Sequence, residues 1–267
     1  MNQKSAIAIG AHPDDIEFYM AGTLLMLKRA GYEIHYLTVA NGNCGSVEYS
    51  RAQAKKIRNA EAREGARILG ATFHDSLCSD LEIVYSVELL RKVASVIRAV
   101  RPTIVLTHSP QDYMEDHMAT CRLAVTAAFT RGMPNFQTVP SRKPADGEVT
   151  IYHAMPHGLC DGLRRGIIPG SFVNTAPVQQ QKFEALSAHK SQQGWLDVSQ
   201  KLNSFLQALE DSSSELGRMS KKFKYAEGWR RHLHLGFCGA DADPLARDLG
   251  ADHIVNKAYE AALKKGM

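Results

Sequence analysis

Two clusters of histidine and acidic residues mark the sequence, each placed directly after a short apolar run. The first is His12-Pro13-Asp14-Asp15, and the second extends from His108 to His117. Catalytic zinc sites bind the metal through three His, Asp or Glu side chains and leave a fourth position for water. His12, Asp15 and one histidine of the second cluster could supply these ligands, and Asp14 would then be free to accept a proton from the water. The residue types therefore indicate metal-assisted hydrolysis.

A structural interpretation of the same residues competes with the metal site. An Asp-Asp pair after a strand often caps a helix, because a carboxylate accepts hydrogen bonds from the free N–H groups of the first turn. A lone histidine is commonly structural as well. Capping explains neither His108 nor His117, however, so the second cluster favours the metal site.

The elements that must position the two clusters alternate between strands and helices. Apolar and β-branched runs predict strands, and longer segments that end at glycine or before proline predict helices. The predicted strands are 5–11, 33–39, 104–107 and 150–154, and the predicted helices are 18–30, 49–69, 86–100 and 117–131. This alternation is typical of an α/β fold with a Rossmann-like parallel sheet flanked by helices. Because ligands bind beyond the carboxyl ends of parallel strands, both clusters should meet at one edge of the sheet.

The second half of the chain carries weaker patterns. Residues 133–148 contain three prolines and predict a loop that flanks or covers the site, and a glycine-rich loop extends to Gly170. From Gln179 the chain is predicted to be mainly helical, with a break near Ser212–Ser214 and a terminal helix at 254–264. We expect a single domain over 1–267, with a sheet-bearing core (1–178) and a helical C-terminal extension (179–267).

Composition and charge narrow the function classes. The formal net charge is only +4 and no long basic run is present, so nucleic acid is not indicated as a partner. No segment approaches the roughly 20 apolar residues of a membrane span. The five scattered cysteines suit free thiols, so we expect a cytoplasmic protein. No GxGxxG or GxxxxGK[ST] run follows the first strand, which argues against nucleotide binding. We expect a homo-oligomer only because such assemblies are common among soluble proteins.

The segment Ala11–Glu17 (AHPDDIE) and the later Asp116-His117 pair resemble the LmbE-like, or PIG-L, family of zinc-dependent de-N-acetylases. Weaker matches lie at Gly22-Thr23-Leu24, Asn41-Gly42 with Gly45-Ser46, Arg58 with Glu61, Leu69-Gly70 and Ala188–Gln192, so the resemblance covers residues 5–193. It implies that His12, Asp15 and His117 bind zinc and that Asp14 is the general base. It also implies a small N-acetylglucosamine-type or related N-acylated sugar as the substrate. Another divalent metal such as Fe²⁺ is an alternative to zinc.

The chain departs from the family pattern at one position of the second cluster. The family usually has His-Pro-Asp-His there, and its first histidine, when protonated, stabilises the oxyanion or protonates the leaving amine. This chain has Met114-Glu115-Asp116-His117, and a thioether has no proton to donate.

Three explanations for Met114 stay open. Another donor could enter the site, and His108 is favoured over His153, His157 and Tyr113. The metal and Asp14 could suffice, because Asp14 can return the proton it accepts. Alternatively, the site binds metal and ligand without efficient turnover. This last explanation leads to a second function class, a noncatalytic zinc-containing protein for sugar binding or assembly.

The remaining candidates each have a structural alternative. Asp116 is expected to orient a metal ligand or to cap the helix that follows it. Arg58 is expected either to bind hydroxyl or phosphate groups of the substrate or to pair with Glu61 on a helix surface. Gly42 could bring the backbone close to a sugar or form a turn. Tyr113 is expected at the substrate.

Overall fold

The computed structural model describes residues 4–192 and 205–265, which form an eight-stranded sheet with helices on both faces. The strands are β1 (Ser5–Gly10), β2 (Glu33–Thr38), β3 (Thr72–His74), β4 (Ile104–Thr107), β5 (Thr150–Ala154), β6 (Ser171–Asn174), β7 (Ala226–Arg231) and β8 (His253–Val255). The helices are α1 (Asp15–Tyr19), α2 (Ala21–Arg29), α3 (Arg51–Leu69), α4 (Val87–Val100), α5 (Glu115–Phe129), α6 (Gln179–Ser187), α7 (Phe205–Ser220), α8 (Pro244–Leu249) and α9 (Lys257–Lys265).

The order of strands in the sheet is β3-β2-β1-β4-β5-β7-β6-β8. Strands β1 to β5 pair in parallel, whereas β7 is antiparallel to β5 and β6, and β8 is antiparallel to β6. The expected α/β fold with a mostly parallel sheet is confirmed. From β1 the chain adds β2 and β3 on one side and then places β4 on the other side of β1. The strand order therefore reverses between β1 and β4, which is where open parallel sheets bind ligands.

Side chains of the central strands alternate between two apolar cores, one on each face of the sheet. On β1, Ala6 and Ala8 pack with residues of α2 and α3, and Ile7 and Ile9 pack with residues of α4 and α5. All four side chains are fully buried. A strand that is buried on both faces is apolar throughout, which explains the continuous run seen in the sequence. The two cores hold the strand ends that carry the clusters.

The structure corrects three expectations about the helices. The predicted helix 18–30 is two helices, α1 and α2, that join at Met20. Ser212–Ser214 lie inside α7 and do not separate two helices. The terminal helix begins later than expected, at Lys257, because β8 occupies 253–255.

The sequence patterns did not predict strands β3, β6, β7 and β8, which have between three and six residues. Two of them, β7 and β8, lie in the region that was expected to be helical, and residues 193–204 of that region are outside the described part of the chain. No helix within the two described ranges is long and apolar enough to cross a membrane.

Candidate active site

The two clusters meet beyond the carboxyl ends of β1 and β4, at the reversal of strand order. Donor atoms of His12, Asp15 and His117 all lie within 4.8 Å of one another. Asp15 Oδ2 is 3.6 Å from His12 Nδ1, and Asp15 Oδ1 is 3.4 Å from His117 Nε2. Asp15 and His117 are buried and His12 is half-buried. Two imidazole nitrogens and a carboxylate at this spacing fit a zinc centre that keeps one position open.

Each of the two histidines donates its other ring N–H to a buried carboxylate. His12 Nε2 donates to Asp116 Oδ2 (2.9 Å), and His117 Nδ1 donates to Asp112 Oδ1 (3.1 Å). These bonds direct His12 Nδ1 and His117 Nε2, the nitrogens nearest Asp15, toward the common centre. Hydrogen bonds of this kind fix the tautomer and the ring orientation of metal-binding histidines.

The carboxylates around the centre attract positive charge. Burial lowers the pKa of His12, but the hydrogen bonds to Asp116 and Asp15 outweigh this effect and raise the pKa to about 9. Burial also opposes the shift of His117, whose pKa rises to about 10 because Asp15 and Asp112 are close. The pKa of Asp15 stays well below its ordinary value despite burial, because His117 and His108 are its neighbours. A divalent cation would balance the same carboxylates in place of these protons.

Asp14 adopts a strained backbone conformation beside the three candidate metal ligands. Its φ of 107° and ψ of −26° are rare for a residue other than glycine. Its side chain caps no helix, so the capping interpretation is wrong for this residue. Instead, Arg58 Nη2 donates to Asp14 Oδ2 (3.2 Å) and to Pro13 O (2.5 Å). Burial raises the pKa of Asp14 to about 6, and the Arg58 cation limits the increase. Backbone strain of this kind is common at active sites.

A cavity of about 300 Å³ lies over the cluster. Its walls combine polar groups, among them Asp14, Asp80 and Arg58, with apolar and aromatic side chains. The aromatic and apolar members are Phe18, Tyr19, Leu81, Tyr113, Met114 and Phe205. Such a mixture binds small molecules that have both apolar faces and polar groups.

Arg58 reaches the cavity, but it is only 4% exposed and its guanidinium is engaged by Asp14 and Pro13. The alternative pairing with Glu61 is wrong, because Glu61 accepts hydrogen bonds from the N–H and hydroxyl of Ser191. Gly42 is not one of the described residues that line the cavity. It has a φ of 78°, and a Cβ there would lie 2.6 Å from Arg58 Cδ. This position therefore requires glycine for a turn and for the close approach of Arg58.

The histidine expected as proton donor is placed differently. His108 is 2% exposed, its Nε2 accepts the N–H of Ala11 (2.9 Å), and its ring stacks on His117 with the centroids 4.0 Å apart. These contacts correct the expectation that His108 donates to a substrate. His153 Nδ1 donates to the carbonyl of His108 (3.0 Å), which also keeps this histidine away from the described cavity. His157 does line the cavity.

Two further expectations concern nearby segments. Asp116 does not cap α5, because that helix begins at Glu115 with Met114 in the capping position. The loop 133–148 does not cover the site. The loop packs along α4, where Ser95 Oγ donates to Pro140 O (2.7 Å). None of its residues is among the described residues that form the cavity wall.

Three site residues were missed by the sequence reasoning. Asp112 accepts a hydrogen bond from His117. Its position in the second cluster, five residues before His117, is the sequence feature that could have indicated this role. Asp80 lines the cavity and accepts the N–H groups of Gly42 (2.6 Å) and Cys44 (2.9 Å), but a single aspartate in a loop gives no signal. Tyr19 lines the cavity from the end of α1, and the sequence analysis placed it only within the predicted helix 18–30.

Comparison with known proteins identifies the family. The family model described as PIG-L: GlcNAc-PI de-N-acetylase matches residues 7–128, which contain both clusters. A diacetylchitobiose deacetylase of Thermococcus kodakarensis is 30% identical over 196 residues, which cover 71% of this chain and 70% of that protein. The chain belongs to the PIG-L (LmbE-like) family. The resemblance drawn from the sequence is thus confirmed.

Members of the PIG-L family differ in the reaction that their names describe. A 4-oxalmesaconate hydratase of Pseudomonas putida is 27% identical over 201 residues, covering 72% of this chain and 75% of that protein. The crystal structure of a hydratase of Pseudomonas putida, GalB, matches with a TM-score of 0.72 over 86% of this chain and 96% of that chain. An N,N'-diacetylchitobiose deacetylase of Pyrococcus horikoshii matches with the same TM-score over 88% and 85%. Both structures are 24% identical to this chain, so they show the fold alone.

Proposed function

We propose that this PIG-L family member is a metal-dependent hydrolase that removes the acetyl group from an N-acetylglucosamine-type or related N-acylated sugar. The proposed metal is zinc, with Fe²⁺ as an alternative. One observation carries the proposal: His12, Asp15 and His117 converge on a common centre, and a separate carboxylate, Asp14, faces the same cavity. The name of the deacetylase relative supports the choice of reaction.

The proposed reaction needs a nucleophile, a base and a path for one proton. A divalent cation held by the three ligands would polarise the acetamide carbonyl and lower the pKa of a bound water toward about 7. Asp14 accepts a proton as the water attacks the carbonyl carbon. The C–N bond then breaks, Asp14 returns its proton to the nitrogen of the amine, and the water oxygen leaves in acetic acid with the second proton, which is released to solvent to give acetate.

The residues around Asp14 and the ligands have positioning roles in this scheme. Arg58 holds the Asp14 carboxylate through the 3.2 Å hydrogen bond. Asp116 and Asp112 hold the two histidines. Tyr113, which is 47% exposed at the mouth of the cavity, offers a ring face and a hydroxyl to the sugar.

The hydratase relatives make the addition of water to a double bond a second candidate. Their names describe carboxylate substrates. The cavity of this chain already contains the carboxylates of Asp14, Asp15 and Asp80. Arg58 is the one arginine or lysine among its described wall residues, and it is bound to Asp14. A divalent cation at His12, Asp15 and His117 would offset these carboxylates together with Arg58, so charge alone does not decide between the two reactions. The proposal of hydrolysis rests on the deacetylase relative.

The test is acetate release from N-acetylglucosamine and N,N'-diacetylchitobiose by the zinc-loaded protein. Asp14→Asn should lower kcat by about 10²–10⁴-fold because it removes the general base, with the zinc content unchanged. Asp75→Asn is the matched control, because Asp75 is an exposed carboxylate that pairs with Arg63. Full zinc occupancy without hydrolysis of a panel of N-acetyl sugars would instead identify the noncatalytic binding protein.

A further inference from the structure

Tyr19 places its ring next to the histidines of the proposed metal centre and has an unused hydroxyl. Its ring meets the rings of His108 and His117 edge-on, with centroids 5.9 and 6.2 Å apart, and lies 4.9 Å from the ring of Phe18. The side chain is half-buried and lines the cavity. Its hydroxyl forms no hydrogen bond with any residue in the described part of the chain. A phenol whose ring is fixed by packing and whose hydroxyl has no hydrogen-bond partner in the protein is available to donate to a ligand.

The proposed reaction has a need that this hydroxyl would meet. Attack of water on the amide leaves negative charge on the former carbonyl oxygen, and hydrolases of this type place a hydrogen-bond donor there. Met114 lines the same cavity where the family pattern has a donor histidine, and a thioether donates nothing. We propose that the hydroxyl of Tyr19 donates a hydrogen bond to the oxyanion and so replaces the histidine lost at Met114. This inference rests on the proposed function.

Tyr19 is favoured over the other donors because it is more buried than Tyr113, whose ring also lies near His117 (centroids 5.7 Å apart). A second reason is that its ring is packed against His108 and Phe18. His108 and His153 are bound to backbone groups. Tyr113 is nearly half exposed, and a donor in contact with water stabilises an oxyanion less than one in a water-excluded wall. His157 contacts the rings of Phe18 and Tyr113 but none of the metal-binding residues by a ring contact.

The proposed role requires no proton transfer from Tyr19. The phenol keeps its proton throughout, donates a hydrogen bond while the oxyanion exists, and releases it when the C–N bond breaks. Asp14 carries the one proton that moves from water to nitrogen. The proposal therefore explains how a chain without the usual histidine retains the reaction.

Tyr19→Phe is the direct test, because it removes the hydroxyl and keeps the ring contacts with His108 and His117. We expect kcat/KM for the N-acetyl sugar to fall about 10²–10³-fold, as for loss of one oxyanion donor, with zinc content and Tm unchanged. Binding of a tetrahedral methylphosphonamidate of glucosamine should weaken by a similar factor, while binding of glucosamine should not change. Tyr85→Phe is the matched control, because that hydroxyl donates to Thr126 Oγ1 on the exposed surface.

A rescue variant separates a donor from a merely structural residue. Met114→His should restore activity about tenfold or more in the Tyr19→Phe protein and raise wild-type activity much less, since the two donors would serve one oxygen. The proposal is overturned if wild-type protein hydrolyses the sugar and Tyr19→Phe stays within about threefold in both hydrolysis and analogue binding. If the wild type releases no acetate, the proposed function fails. Equal binding of the methylphosphonamidate by wild type and Tyr19→Phe would then overturn the role of Tyr19 separately.

Discussion

Replacing Asp116 by alanine should weaken metal binding without removing a metal ligand. Asp116 Oδ2 accepts hydrogen bonds from His12 Nε2 and from the N–H of Leu81, each 2.9 Å long. Without the first bond, His12 can rotate and can carry its proton on either ring nitrogen, so Nδ1 is no longer held toward the centre. Partners of this kind contribute about 10- to 100-fold in metal affinity, or about 1.4–2.7 kcal/mol.

The structure places the expected loss near the upper end of that range. Asp116 is only 4% exposed, so water replaces the carboxylate poorly at His12, and a negative charge near the cation is also lost. The N–H of Leu81 donates to the same carboxylate oxygen, so Asp116→Ala also leaves this backbone donor without its partner, and we expect a cost to folding of about 1–3 kcal/mol. Asp116→Asn should have an intermediate effect, because its amide oxygen can still accept from His12.

The assay is a competition titration of zinc between the metal-free protein and a chromogenic chelator at neutral pH. Asp75→Ala serves as the control for loss of a carboxylate far from the centre. Zinc affinity of Asp116→Ala within about twofold of the wild type would refute the reasoning, because the hydrogen bond would then not orient His12.

Two further predictions concern stability. Lys182 Nζ donates to Glu227 Oε1 (2.7 Å) with both side chains buried, so Lys182→Met should lower the free energy of unfolding by about 3–5 kcal/mol. Adding Glu227→Gln should recover part of that loss in urea denaturation, and a single-variant loss below about 1 kcal/mol would contradict the prediction. Hydrogen bonds from Arg247, Tyr32 and Lys4 hold the pKa of Asp248 far below its ordinary value. A group with a lowered pKa stabilises the fold above its unfolded pKa of about 3.9 and loses this effect as the pH falls. The stability difference between wild type and Asp248→Asn should therefore shrink between pH 6 and about pH 3, and an equal difference at both would be inconsistent with it.

The location of the site could be predicted because it depends on strands that the sequence shows clearly. β1 and β4 are buried on both faces, so their apolar runs are continuous and their ends are easily found. Ile9 lies opposite Thr107 in the paired strands, which brings the residues that follow each strand to the same edge. Neighbouring strands with clusters at their carboxyl ends are therefore sufficient to predict a shared centre.

The antiparallel part of the sheet could not be predicted from its own residues. β7 contains Glu227, Arg230 and Arg231. With these charged residues it lacks the apolar run or alternation that predicts a strand. Glu227 is buried only because it accepts from Lys182 and from the N–H groups of Gly22 and Thr23, which lie far away in the sequence. A strand whose burial depends on distant partners leaves no local periodicity.

The roles of individual site residues were harder to predict than the position of the site. His108 follows a strand directly and so looked available, but the N–H of Ala11 on the neighbouring strand end uses its Nε2. Tyr19 was expected only as part of the helix 18–30, but its ring packs on His108 and His117. Each outcome depends on contacts between separate parts of the chain, which sequence spacing does not reveal.

The architecture separates the parts of the site that must be fixed from those that can change. The proposed metal ligands follow β1 and β4, so their spacing is held by paired strands and two apolar cores. A hydrogen-bond donor only has to lie in the cavity wall, and that wall is built from several elements, including α1, the start of α5 and the turn at His157. Loss of the histidine at Met114 can therefore be offset from another element without disturbing the centre. The same separation is consistent with a family that includes proteins named as deacetylases and as hydratases.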